Sequence, residues 1–96
     1  MLTLEEAKKL ALAALLENSR YTADDIAFID ERIQCKRYGW VLIYNHRKYV
    51  ETGDILYAFG GNGPIVVMHD GTLHSLGTAQ TIEGNIAQFE REHGLS

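Results

Sequence analysis

The sequence predicts an α+β fold: an N-terminal helix, an antiparallel sheet of about four strands and a C-terminal helix, with the helices packed on the sheet. Three observations carry this expectation. Leu4, Ala7, Ala11, Ala14 and Leu15 near one end, and the stripe Ile82, Ile86, Phe89 and His93 near the other, recur at helical spacing. Between them the apolar period drops to two from Ile26 onward. Glycines, the one proline and an Asp-Gly pair then cut the second half into short runs, too short for helices.

The elements follow in order. Thr3 with Glu6 three residues on is a capping-box pair, and the Ala- and Leu-rich stretch after it favours a helix over about residues 3–19. Its apolar arc is wide, with Leu10 and Leu12 at the edges, so the helix is expected to lie flat on a sheet. Lys8-Lys9 before a leucine-rich run resembles a short export signal. Glu5 and Glu6 precede those lysines, however, and no small-x-small cleavage site follows. Residues 20–25 read as a polar connection. A strand follows, with Ala27, Ile29, Ile33 and Cys35 on one face and Asp30, Arg32, Gln34 and Lys36 on the other, interrupted by Glu31.

Lys36-Arg37-Tyr38-Gly39 is a turn, and Trp40 to Tyr44, apolar on both faces, is the expected central strand. Asn45 to Gly53 is polar and is expected to leave the sheet. Gly60-Gly61-Asn62-Gly63-Pro64 is a chain reversal. Ile65 to Met68 is a strand, Asp70-Gly71 a tight hairpin and Thr72 to Leu76 its return. Thr78 or Thr81 caps the last helix, which Gly94 ends.

At 96 residues the chain is expected to form a single domain over 1–96, with one core and helices over one face of the sheet. Hydrophobic residues make up 46% and charged residues 23%, which argues against disorder. One cysteine rules out an internal disulfide framework, and no apolar run approaches a membrane span. The net charge of −4 is unevenly spread. Asp24, Asp25, Asp30 and Glu31 fall in a stretch without a base. Arg32, Lys36, Arg37, Arg47 and Lys48 follow in one without an acid. From Tyr49 on, Glu51, Asp54, Asp70, Glu83, Glu90 and Glu92 face Arg91 alone. Such asymmetry steers partners, although solvated faces explain it equally simply.

No set of residues reads as a catalytic centre. The glycine loop lacks the Lys and Ser/Thr of a phosphate cradle and runs into a strand. Cys35 lies on the mostly apolar strand face, so a core position is expected rather than a nucleophile. His46, His69, His74 and His93 are too scattered for a metal signature. Tyr38, Trp40 and Tyr44 interleave with the basic stretch, as in single-strand binders, but alternation with Val41 and Ile43 is also what a core strand shows. An isoelectric point near 5.4 speaks against nucleic acid. The expectation is no enzyme, no cofactor and no metal.

Residues 39–90 carry a resemblance. Gly39-Trp40 opens a strand; Glu51-Thr52-Gly53-Asp54 follows. Then come Gly61-Asn62-Gly63-Pro64 with its strand, Asp70-Gly71, and His74-Ser75-Leu76-Gly77-Thr78-Ala79 leading into a helix that ends near Phe89-Glu90. In that order these segments resemble the YrhB-like family, also known as immunity protein 35. Many of its members are small bacterial proteins encoded beside toxins. The resemblance departs at Gly63, where the family usually has Ala. It departs again at Met68-His69, where an acid and a longer turn are usual.

The resemblance implies a cytoplasmic immunity protein that binds and blocks a co-encoded toxin; composition adds the expectation of no membrane or nucleic-acid partner, and monomer and homodimer both stay open. Its recurring motifs look structural, so specificity is expected outside them. Asp24, Asp25, Asp30, Glu31, Arg37, Tyr38, Glu51 and Asp54 are the candidate partner-binding residues. A heat-stress holdase is the alternative, with the wide arc of the first helix, including Leu12 and Leu16, as its apolar patch. A nucleic-acid module built on residues 32–48 is the third reading.

Overall fold

The computed structural model describes residues 2–17, 21–54, 56, 63–77 and 81–95. The fold is α+β as expected. It holds α1 (Leu4–Leu16), β1 (Ile26–Phe28), β2 (Gln34–Lys36), β3 (Gly39–Leu42), β4 (Tyr44–His46), α2 (Arg47–Thr52), β5 (Ile65–Met68), β6 (Leu73–Ser75) and α3 (Ile82–Glu92). All strand pairs are antiparallel. The main sheet has the order β2-β3-β5-β6, and β1 and β4 pair as a separate two-stranded ribbon.

α1 starts where the capping box placed it. Glu6 N–H donates to Thr3 Oγ1 at 3.2 Å, and Thr3 N–H donates to Glu6 Oε1 at 2.9 Å. It ends at Leu16, short of the expected residue 19; residues 18–20 lie outside the described set. Thr81, rather than Thr78, caps α3 by accepting from Gly84 N–H at 3.0 Å; Thr78 is outside the described residues, as are Gly60 to Asn62.

The core corrects the expectation of a sheet covered on one face. Trp40 and Leu42 of β3 and Ile65 and Val67 of β5 pack with Ala7 and Ala11 of α1. Val41 and Val66, which alternate with them, pack with Ile86 and Phe89 of α3. The cross-strand register pairs like with like: Trp40 stands opposite Val67, Val41 opposite Val66 and Leu42 opposite Ile65. The sheet is therefore sandwiched between α1 and α3. That explains why β3 and β5 are apolar on both faces.

The stretch from 26 to 36 also departs from a single strand. A 3-10 turn over Asp30–Arg32 breaks it into β1 and β2. The break rotates the chain, so Ile29 joins the cluster beneath α3 while Ile33 joins the one beneath α1. Cys35 keeps the face of Ile33, opposite Trp40, yet lies exposed on edge strand β2 rather than in the core. Likewise the strand from Trp40 stops at Leu42. Tyr44–His46 leaves the main sheet, as expected of the segment from Asn45, but pairs with β1 as a separate ribbon, and α2 follows directly. A period of two is blind to an interposed turn, because apolar residues on either side of it still alternate.

Gly63 shows why this chain departs from the resembling pattern. A Cβ there would fall on the Leu76 carbonyl oxygen and within 2.8 Å of the Gly77 carbonyl oxygen. The backbone approach is held by Leu76 N–H donating to the Pro64 carbonyl at 2.8 Å.

Candidate functional site

The candidate partner residues are not one surface. β1 and β4 stand side by side, with Ile26 opposite His46, so the 3-10 turn Ala23–Asp25 comes beside the start of α2. This brings Asp24 and Asp25 into the same region as the helix that carries Glu51 and leads to Asp54. Arg37 and Tyr38 sit in the β2–β3 turn, at the end of β3 opposite to the one that leads into β4. Asp30 and Glu31 lie between, in the turn that joins β1 to β2.

Local bonds fix the first group. Thr22 N–H donates to Asp25 Oδ2 at 2.9 Å, and this bond holds the Asp25 carboxyl below its ordinary pKa. His46 caps α2, its Nδ1 accepting from Lys48 N–H at 3.1 Å, which leaves Nε2 facing Asp25 Oδ1 at 3.8 Å. Arg47 clamps the turn to the helix: its Nε donates to the Asp24 carbonyl at 2.7 Å and its Nη2 to the Ile26 carbonyl at 3.1 Å. The basic stretch of the sequence thus folds against the acidic one, and Arg47 is engaged on backbone carbonyls. Among the described residues the Asp24, Glu31 and Glu51 side chains have no hydrogen-bond or ion-pair partner, and all three are exposed.

Apolar exposure concentrates on the same segments. Tyr21 is 37% exposed, Val50 of α2 is 41% exposed and Leu56 is 87% exposed. Tyr21 meets the His46 ring edge-on at 5.9 Å. Sequence reasoning missed these three residues. The available signal at Tyr21 was an aromatic side chain standing alone in a polar segment; Val50 beside Tyr49 and Leu56 within Ile55 to Phe59 carried no such signal.

Asp30 and Glu31 diverge. Lys8 of α1 donates to Asp30 Oδ1 at 2.7 Å, a bond that raises the lysine's pKa, while Glu31 borders a groove shared with Glu83 and Ile82 at the start of α3. A second groove of about 290 Å³ runs between α1 and β1, with Lys8, Lys9, Asp30 and Arg47 on its walls and Leu12 and Phe28 among its apolar lining.

Tyr38 has a structural duty. Its hydroxyl donates to Glu90 Oε2 at 2.8 Å, its ring packs on Phe89 at 5.9 Å, and Lys36 Nζ stands 3.7 Å from the same carboxylate oxygen. Burial, then the Glu90 bond, push the phenol well above its ordinary pKa. Glu90 thereby ties the β2–β3 turn to α3. Tyr38→Phe is expected to cost about 1–2 kcal/mol, read as a lower denaturant midpoint at unchanged m-value.

Trp40 is buried and Tyr44 packs edge-on against Phe28 at 6.4 Å. Together with Tyr38 they are engaged in packing rather than displayed as a stacking platform. No described helix is long and apolar enough to cross a membrane.

No family model matches the chain, and no solved structure matches it. The chain is similar to the uncharacterized protein YrhB of Escherichia coli (strain K12), at 38% identity over 53 residues. That stretch is 54% of this chain and 56% of YrhB, so the likeness spans little more than half of either protein.

Proposed function

We propose that the chain is a cytoplasmic immunity protein that binds a co-encoded protein toxin and neutralises it by occlusion, acting as a monomer or homodimer. The supporting observation is the surface made by residues 21–25 and α2. There the exposed Tyr21 and Val50 stand among the carboxylates Asp24, Asp25 and Glu51, with Leu56 and Asp54 just beyond. An aromatic and aliphatic centre with a charged rim is the composition of a protein-binding patch. Its acids complement a basic toxin, and complementarity of this kind raises association rates more than final affinity. The partial likeness to YrhB agrees with the family resemblance but adds nothing about activity.

Co-expression with the neighbouring toxin tests the reading directly. A recovered complex and rescued growth are expected; no complex and no rescue would end it. Reversing Asp24, Asp25 and Glu51 to lysine is expected to slow association about tenfold or more at low salt, with the difference shrinking as salt rises. Stopped-flow rates equal to those of the unmodified chain would remove the electrostatic part. Val50→Asp is expected to speed dissociation instead.

The holdase reading draws on α1, where Leu10 is 38% exposed and Leu12 and Leu16 are half-buried. Suppression of client aggregation at substoichiometric amounts would favour it over toxin binding.

A further inference from the structure

His74 and His93 are 19 positions apart in sequence, yet the fold brings their rings together, with centroids 5.0 Å apart and planes at 66°. His74 comes from β6 and His93 from the end of α3, so the pair exists only because α3 packs across the sheet. Phe89 backs both rings, at 5.1 Å from His74 and 4.2 Å from His93.

We propose that His74 and His93 form a two-imidazole site for a late first-row divalent transition-metal ion. Neither the family resemblance nor the toxin-binding reading assigns this site, and it does not depend on them. Three features support it.

The first is spacing. Two imidazole nitrogens sharing an ion at about 2.0–2.1 Å each hold their ring centroids roughly 5 Å apart. The second is the state of His93. Its Nδ1 lies 3.0 Å from the Phe89 carbonyl oxygen, so Nδ1–H donates there and the Nε2 lone pair is left available. A backbone carbonyl behind a ligating histidine is the usual outer support of such a ligand, fixing tautomer and ring orientation. The third is access and surroundings. The pair lines a groove of about 380 Å³ between β6 and α3, which Ser75 and Glu92 also border.

The donor set selects the ion. Imidazole nitrogens suit copper, nickel and zinc, whereas magnesium and calcium demand oxygen. Among the described residues no three His, Cys, Asp or Glu side chains form a complete ligand group. The ion is therefore held by the two nitrogens, with water in its remaining positions. Stability should follow the order Cu²⁺ above Ni²⁺ and Zn²⁺.

The test uses the chain without a histidine tag and with Cys35→Ser, so that the exposed thiol supplies no ligand. Calorimetric titration with CuCl₂, NiCl₂ and ZnCl₂ is expected to show one ion per chain, with copper tightest. His74→Asn and His93→Phe are each expected to weaken binding about tenfold or more, since each removes one of the two nitrogens. The second variant keeps an aromatic ring on Phe89, and far-UV circular dichroism checks that both variants fold. Electron paramagnetic resonance of the copper complex is expected to report two nitrogen ligands in the parent and one in either variant. Absence of binding, or binding that both folded variants retain at parental strength, would overturn the proposal.

Discussion

Gly39→Ala is expected to unfold most of the population at 25 °C or to yield insoluble protein. Gly39 opens β3 at φ +155° and stands opposite Met68 of β5. A Cβ there would fall on the Val67 carbonyl oxygen, 2.8 Å from Met68 Cα and 2.9 Å from the Val67 carbonyl carbon. All three are backbone atoms of the neighbouring strand, so no rotamer change relieves the collision. The relief available is for β3 and β5 to separate at that end, which breaks the contact at the centre of the sheet. Overpacking of side chains in cores costs about 1–3 kcal/mol, and a clash with immovable backbone should exceed this. Against a total stability of about 5–15 kcal/mol, that is a large share. Gly63→Ala meets the same kind of obstacle at the Leu76 carbonyl, so restoring the residue usual in the resembling family should also destabilise this chain. Thermal melts of both variants check this. A Gly39→Ala protein with an unchanged midpoint would mean that the strands tolerate separation there.

Leu42→Ala and Val41→Ala, taken together, test the sandwich. Both side chains are fully buried, and they point to opposite faces of β3. Leu42→Ala is expected to cost about 2–5 kcal/mol, through lost burial and the cavity left beneath α1. Val41→Ala removes a smaller group from beneath α3 and is expected to cost roughly 2 kcal/mol. For a domain of this size each kcal/mol lowers the melting midpoint by about 4–8 °C, so both effects are easily read. A sheet covered on one face alone would make one of the two substitutions nearly silent. A Val41→Ala midpoint within about 2 °C of the parent would contradict the packing of α3 on that face.

The candidate site was legible in part. The acids at Asp24 and Asp25 and on α2 stood out by charge, and they do share a region. Tyr38 also stood out, as an aromatic among bases, but its hydroxyl is engaged by Glu90. Glu90 lies 52 positions away, and no local pattern reports a bond of that span. Cys35 read as core because residues 26 to 36 alternate. The 3-10 turn at Asp30–Arg32 shifts the phase, so Ile29 and Ile33 fall on opposite faces, while Cys35, in phase with Ile33, is exposed because β2 is an edge strand.

What the sequence determined by itself is everything that local bonding and periodicity control. The capping box starts α1, Asp70-Gly71 makes the β5–β6 hairpin, a threonine at 78 or 81 starts α3, and the apolar run of β3 marks it as an interior strand. These follow from hydrogen bonds and side-chain alternation within a few residues. The tertiary structure alone decided that α1 and α3 cover opposite faces, that β4 leaves β3 to pair with β1, and that His74 meets His93. Each of these depends on contacts between segments far apart along the chain, whose free energy comes from burying two faces of one sheet at once, and no neighbouring residue encodes that choice.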